Sequence, residues 1–229
     1  MLTRGSGEPG VIDIKTRQSP YFSSQELAFL RKKILSQKHC LIFPTETFYA
    51  LGGDATQSEV VSCIYKLKKR DIKLPLLVLV ADMSMLLRHV DGLSLSQKRF
   101  LEKIWPSPLS IILPAKDNLA NELNYQDNYV AFRMTSLDST RELIGGLGVP
   151  LVGTSANLSG MKEVSKFNDA NFIFKDKVDL YIDGGMTRGE KPSTLIKPID
   201  KERFQVLRQG AFEFGEKKKN PEWFFKDFL

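Results

Sequence analysis

Apolar positions along the chain recur at two periods. After Ser23, with Glu26 three residues on, Leu27, Leu30, Ile34 and Leu35 repeat at helical intervals. The Ser-x-x-Glu spacing predicts a capping box at the helix start. A strand is predicted at 40–43, ended by Pro44. Thr56 and Glu59 repeat the capping signature ahead of Val60, Cys63, Ile64 and Leu67, one apolar face of a second helix reaching about Lys69. Leu76-Leu77-Val78-Leu79-Val80 is an unbroken apolar run, the pattern of a strand buried on both faces.

The alternation continues downstream. A helix is predicted at 97–104, ending at Trp105-Pro106, then strands at 109–113 and 129–134, the second carrying Arg133. A helix at 138–144 is closed by Gly145-Gly146, and a strand at 149–152 runs into Gly153-Thr154-Ser155. A weak helix over 167–174 and strands at 179–182, 194–196 and 205–207 complete the set. Mixed helices and buried strands predict an α/β (α+β) layered sheet domain. Successive strands near the end argue against a purely parallel sheet. Residues 1–20 read as a flexible lead-in, 21–212 as one domain and 213–229 as a tail. In that tail Lys217-Lys218-Lys219 precedes Trp223-Phe224-Phe225 and Phe228. A solvated tail with an aromatic anchor is the first reading, a patch for RNA or a partner the second.

Composition narrows the class. The chain has 229 residues, 42% hydrophobic and 26% charged, enough to bury a substantial core without staples. Its net charge of +6 permits an anionic ligand without demanding one. Cys40 and Cys63, both beside apolar residues, read as buried small side chains rather than a disulfide or metal pair. His39 and His89 are too scattered for a zinc site. The N-terminus has no apolar signal-like stretch, and no run is long enough to span a bilayer, so a cytoplasmic protein without a membrane partner is expected.

The phosphate loop Gly-x-x-x-x-Gly-Lys-Ser/Thr, the dinucleotide fingerprint and the Gly-x-Ser-x-Gly elbow are all absent. Five segments instead carry chemistry. Pro44-Thr45-Glu46-Thr47-Phe48-Tyr49-Ala50-Leu51-Gly52 brings hydroxyls, a carboxylate and a phenol after a strand. Lys66, Lys68, Lys69 and Arg70 close a helix, where cations suit the macrodipole. Lys68 and Arg70 are also suited to a polyphosphate or a developing anion. Gly153-Thr154-Ser155-Ala156-Asn157-Leu158-Ser159-Gly160 follows a buried strand, where small polar residues either line a crevice or form a plain turn. Pro192-Ser193-Thr194 opens a strand, and Leu207-Arg208-Gln209-Gly210 ends one.

In this order these segments resemble the YrdC-like family, the threonylcarbamoyl-AMP synthases, in their short bacterial TsaC-type form. Pro44–Gly52 resembles the family's Pro-Thr-Asp/Glu-Thr-x-Tyr-Gly-Leu-Gly loop, and Lys68-Lys69-Arg70 its Lys-x-Arg. Trp105-Pro106-Ser107-Pro108-Leu109-Ser110 is similar to Trp-Pro-Gly-Pro-Leu-Thr, and Thr-Ser-Ala-Asn-x-Ser-Gly stands in full at 154–160. Arg133, Ser193 and Leu207-Arg208-Gln209-Gly210 match later family positions. Ala50 and Ser107 replace family glycines, and Asp71 and Leu74 replace the residues usual after Lys-x-Arg, with Lys73 one place early.

The resemblance implies a single YrdC-like catalytic domain: a twisted mixed sheet flanked by helices around a basic central cavity. It implies joining of L-threonine, bicarbonate and ATP into threonylcarbamoyl-AMP and pyrophosphate, with Mg2+, for threonylcarbamoyladenosine in tRNA. Lys68, Arg70, Asn157 and Ser193 would form the central tetrad. Thr47, Arg133, Thr154 and Ser193 would hold threonine, and Lys68, Arg70, Ser155 and Arg208 the ATP. The product would pass to the tRNA threonylcarbamoyl-transferase proteins. Two other readings stay open here: a module that binds structured RNA without catalysis, and another carbamoyl-transfer enzyme akin to a domain of the large hydrogenase-maturation protein.

Overall fold

The computed structural model describes residues 10–124, 128–215 and 222–228. Its strands are β1 (Gly10–Asp13), β2 (Leu41–Phe43), β3 (Ala50–Asp54), β4 (Leu77–Leu79), β5 (Leu109–Pro114), β6 (Tyr129–Arg133), β7 (Leu151–Ser155), β8 (Leu180–Asp183), β9 (Thr194–Pro198), β10 (Arg203–Arg208) and β11 (Glu222–Phe224). The helices are α1 (Ser24–Arg31), α2 (Ser58–Lys68), α3 (Met83–His89), α4 (Leu95–Ile104), α5 (Asp138–Leu147) and α6 (Phe167–Phe174). The strands form one mixed sheet ordered β1-β8-β2-β3-β7-β4-β6-β5-β9-β10-β11. The pairs β1–β8, β2–β8, β4–β6 and β5–β9 are parallel and the rest antiparallel.

The capping box at Ser23 and Glu26 is present, and Arg17 forks onto the Glu26 carboxylate at 2.8 and 2.9 Å. Those contacts hold the Glu26 carboxyl at about 2, against the desolvation of its half-enclosed site. The capping expected at Thr56 fails. Gln57 is the N-cap of α2, and the Thr56 hydroxyl donates to Asp54 at 2.7 Å. Gly145 and Gly146 do not close α5, which ends at Gly148 with φ 81°. Both lie inside it, and Gly146 is required there by packing, since a Cβ would stand 2.6 Å from the Leu27 side chain of α1.

Three further expectations change. Gly10–Asp13, expected in the flexible lead-in, pairs in parallel with β8. Ala50–Gly52, read as loop, belongs to β3, which forms a hairpin with β2. The aromatic tail is no surface anchor: Phe225 is fully buried, its ring 5.2 Å from Phe100 and 4.9 Å from Phe204. Lys217-Lys218-Lys219 lie outside the described residues.

Cys40 is buried as expected, but Cys63 is exposed on α2. The two thiols influence each other: the neighbouring Cys40 lowers Cys63 to about 6, while Cys63 and burial push Cys40 up.

Candidate active site

Side chains two apart along a strand share a face. Ser110 and Ile112 on β5, Ala131 and Arg133 on β6, and Gly153 and Ser155 on β7 line one cavity by that rule. The register sets Ile112 and Leu77 beside Ala131, and Ser110 beside Leu195. This face is the floor of a cavity of about 470 Å³. The Thr45–Ala50 segment, the end of α2, and the loops at 157–163 and 192–193 wall it.

All nine residues singled out from the sequence line this one cavity: Thr47, Lys68, Arg70, Arg133, Thr154, Ser155, Asn157, Ser193 and Arg208. The Lys-x-Arg spacing has a local cause. Lys69 ends α2 in the left-handed conformation, φ 51°, uncommon for a residue with a side chain. Its N–H turns back to Tyr65 and Lys66, and Arg70 N–H bonds the Tyr65 carbonyl at 3.0 Å. That reversal brings Lys68 and Arg70 to the cavity and leaves Lys69 exposed.

Lys68 is buried. Its ammonium donates to the carbonyls of Ser155 and Asn157, and to Asn157 Oδ1 at 3.2 Å. Desolvation, then the Arg70 charge, lower it to about 8, against the opposing pull of Glu163. The Thr154–Gly160 segment is therefore more than a turn. Thr154 and Ser155 finish β7, Ser159 N–H bonds the Lys68 carbonyl at 2.9 Å, and Ser155 Oγ donates to Asn157 Oδ1 at 2.6 Å.

Arg70 Nε and Nη2 donate to the Leu74 and Pro75 carbonyls at 3.0 and 3.1 Å, which fixes the stretch where the chain departs from its motif. Lys73 is exposed and does not line the cavity. Burial lowers the Arg70 pKa, and the guanidinium remains charged because an arginine starts so high.

On the far wall, β10 carries a bulge between Val206 and Arg208. Bulges re-aim side chains, and Arg208 Nε and Nη2 both reach the Ser193 carbonyl, at 3.2 and 2.9 Å. Ser193 Oγ shares a 2.8 Å hydrogen bond with Ser110 Oγ, both buried. Arg133 is buried with its Nε 3.6 Å from Glu46 Oε1, too long for a hydrogen bond, and neither atom has another partner among the described residues. Thr47 Oγ1 lies 3.0 Å from Thr45 Oγ1, whose oxygen also takes the Thr47 and Phe48 N–H groups.

Sequence reasoning quoted Ser110 in a motif without giving it a place in the site, and missed Glu163. A hydroxyl ending Pro-Leu-Ser was a signal for Ser110. Glu163 stands outside every motif.

The chain is similar to several known proteins. A family model described as "Telomere recombination", covering Sua5, YciO and YrdC, matches residues 33–210. The threonylcarbamoyl-AMP synthase of Idiomarina loihiensis is 32% identical over 173 residues, 75% of this chain and 91% of that one. Pyrococcal Sua5 (P. abyssi) in complex with L-threonine superposes with a TM-score of 0.79 at 26% identity, over 87% of this chain and 57% of that one. A H234A/Y235A variant of P. abyssi Sua5 gives 0.81 at 25% identity, over 89% of this chain and 61% of that one. The chain thus spans about three-fifths of the Sua5 chains and nine-tenths of the Idiomarina protein. By the extent of the family match and the similarity to that synthase, the chain belongs to the Sua5/YciO/YrdC family.

Proposed function

We propose that this chain is a threonylcarbamoyl-AMP synthase, converting L-threonine, bicarbonate and ATP into threonylcarbamoyl-AMP, pyrophosphate and water. The convergence of Lys68, Arg70, Arg133 and Arg208 on one cavity with Thr47, Asn157 and Ser193 carries this reading. The reaction builds negative charge twice, when the amine of threonine becomes a carbamate and when a carbamate oxygen attacks the α-phosphate. Fixed cations and donors aimed at that charge are the largest single contribution such a site makes. No protein nucleophile is needed, and holding the carbamate in line with phosphorus supplies much of the remainder.

Lys68 and Arg70 neutralise carbamate and phosphate charge in this scheme, while Asn157 and Ser193 orient the intermediate. Arg133 takes the threonine carboxylate with its planar fork, and Thr47 and Thr154 take the other polar groups. Ser155 and Arg208 contact the nucleotide. Arg70 and Arg208 are each already held by two backbone hydrogen bonds, so little side-chain entropy is lost on binding.

Among the described residues no three His, Cys, Asp or Glu side chains gather as metal ligands. Mg2+ would therefore be held largely through its own water, with the cavity hydroxyls of Thr47, Ser110, Ser155 and Ser193 as protein oxygens available to it. When bound it would supply positive charge to offset that of the leaving pyrophosphate. Service to tRNA modification and handover to tRNA threonylcarbamoyl-transferase proteins complete the proposal. A place in the cytoplasm is part of the same proposal; no helix among the described residues is long and apolar enough to cross a membrane. An RNA-binding module needs an exposed basic face, and gives no reason for burying Lys68 and Arg133.

The deciding assay supplies labelled bicarbonate, ATP and Mg2+, with and without L-threonine, and follows pyrophosphate. Threonine-dependent release is expected. Release indifferent to threonine, or no release, overturns the reading.

A further inference from the structure

Four cations line the cavity, and one acid, Glu163. It is half-buried, and no described residue gives its carboxylate a hydrogen bond or an ion pair. Its backbone is held in place. Tyr49 N–H bonds the Val164 carbonyl at 3.0 Å, Thr187 N–H bonds Ser165 at 2.9 Å, and Asn157 Nδ2 donates to the Met161 carbonyl. The segment carrying Glu163 is thereby tied to the Thr47–Tyr49 loop on one side and to Asn157 on the other. Its charge reaches across the cavity, favouring the protonated forms of Lys68 and Arg208.

An acid is a liability in a cavity meant only for phosphate, because like charges repel at short range. It becomes useful when a ligand brings a positive group. Of the substrates above, threonine alone does: it arrives as a zwitterion with an ammonium beside its carboxylate. Four cations attract the carboxylate and repel the ammonium. We propose that Glu163 binds the ammonium group of the amino-acid substrate, while Arg133 takes its carboxylate. This inference rests on the synthase reading and adds to it the residue that makes the site select an α-amino acid over an α-hydroxy or deaminated acid. Glu163 acts in binding, and no proton transfer is assigned to it. A divalent cation is the competing occupant. The tie to the Thr47 loop favours the ammonium, since that loop lines the part of the cavity assigned to the amino acid.

The test uses the full chain and titration calorimetry with L-threonine in the absence of ATP and Mg2+. Glu163→Gln keeps size and removes charge, and is expected to weaken threonine binding about 10- to 100-fold, the range for one charge-assisted hydrogen bond. The α-hydroxy analogue, 2,3-dihydroxybutyrate of matching stereochemistry, is expected to bind the variant at least as well as the wild type. Glu163→Asp should recover part of the threonine affinity. In the pyrophosphate assay, KM for threonine should rise while KM for ATP stays. Unchanged threonine affinity in Glu163→Gln overturns the proposal. So does an equal loss for the α-hydroxy analogue, or an effect that appears only as a raised Mg2+ requirement. Wild-type protein that neither binds threonine nor releases pyrophosphate with it overturns the synthase reading itself, a result distinct from all of these.

Discussion

The ammonium of Lys68 lies 2.7 Å from the main-chain oxygen of Asn157 and 3.2 Å from its side-chain oxygen, across 89 positions of sequence. With the Ser155 carbonyl at the end of β7 as third acceptor, its donors are all engaged and the charge is held at the cavity wall. With its pKa depressed to about 8, Lys68 is charged at neutral pH at a cost to folding. The sign follows from proton counting. Between about 8 and 10.5 the unfolded chain binds the proton and the folded one does not, so this group's contribution to stability improves as pH rises through that window. A bound polyphosphate works the other way, favouring the charged form. Nucleotide binding at about pH 8.5 should take up more than about half a proton, and at about pH 6.5 almost none. Calorimetry in buffers of different ionisation enthalpy reads this directly. Lys68→Met should abolish the uptake, and equal uptake in the variant would remove Lys68 from the nucleotide site.

Arg70 is anchored by the Leu74 and Pro75 carbonyls. Arg70→Ala removes a charge from the site and should lower turnover about 100-fold or more, or about 3 kcal/mol of transition-state stabilisation. Circular dichroism should show the fold intact. Arg70→Lys should recover little, since an ammonium cannot span both carbonyls and still face the cavity as a fork. Near-normal pyrophosphate release by Arg70→Ala would show that the guanidinium only fastens the 71–75 loop.

Much of this was legible in the sequence, for reasons that differ by residue. Helices α1, α2, α4 and α5 announce themselves because their apolar faces are long enough to repeat. Strand β3 does not: Ala50-Leu51-Gly52-Gly53-Asp54 has poor strand propensity. Its glycines are there for contact, since a Cβ at Gly52 would stand 1.9 Å from the Val152 carbonyl. Helix α3 is too short to show a period, and its Asp82 cap, which takes the Met85 N–H at 2.7 Å, was the signal available. In the cavity, Lys68 and Arg70 stood out because they form a Lys-x-Arg motif at the end of a predicted helix. Ser110 did not, because its partner Ser193 is 83 positions away and local pattern carries no trace of such a pairing.

The thiol pair makes a separate prediction. The neighbouring Cys40 thiol favours the Cys63 thiolate, with a pKa of about 6. Exposed on α2, Cys63 should react with iodoacetamide at neutral pH near its limiting rate, while buried Cys40 stays unmodified. Cys40→Ala removes the neighbouring thiol, and the midpoint of the alkylation rate should move up toward about 8.5, the value of a free thiol. Mass spectrometry after timed quenching at several pH values measures both sites. A midpoint that Cys40→Ala leaves unchanged would rule out the neighbouring thiol as its cause.

Gly210 explains why a glycine follows Arg208 at two residues' distance. A Cβ there would stand 2.1 Å from the Pro192 carbonyl oxygen and 2.5 Å from the Ser193 carbonyl carbon. Both are backbone atoms, so no side chain can swing away. The neighbouring contacts are tight as well: Gly210 N–H bonds Thr194 Oγ1 at 2.9 Å, and Ala211 N–H bonds Pro192 at 2.8 Å. Gly210→Ala must push apart the two segments that carry Ser193 and Arg208. The expected cost is about 1–3 kcal/mol, the usual range for overpacking. In a chain of this size that lowers Tm by about 2–12 °C. Turnover should fall further than stability requires, because the Ser193 carbonyl that fixes Arg208 moves with the strand. Gly145→Ala is the matched control. It lies inside α5, and its Cβ would meet the Ala81 methyl at an ordinary 3.7 Å. There the same substitution should leave turnover alone and raise stability by about 0.5–1 kcal/mol through helix propensity. If the two variants melt and turn over alike, close backbone approach is not what requires glycine at 210.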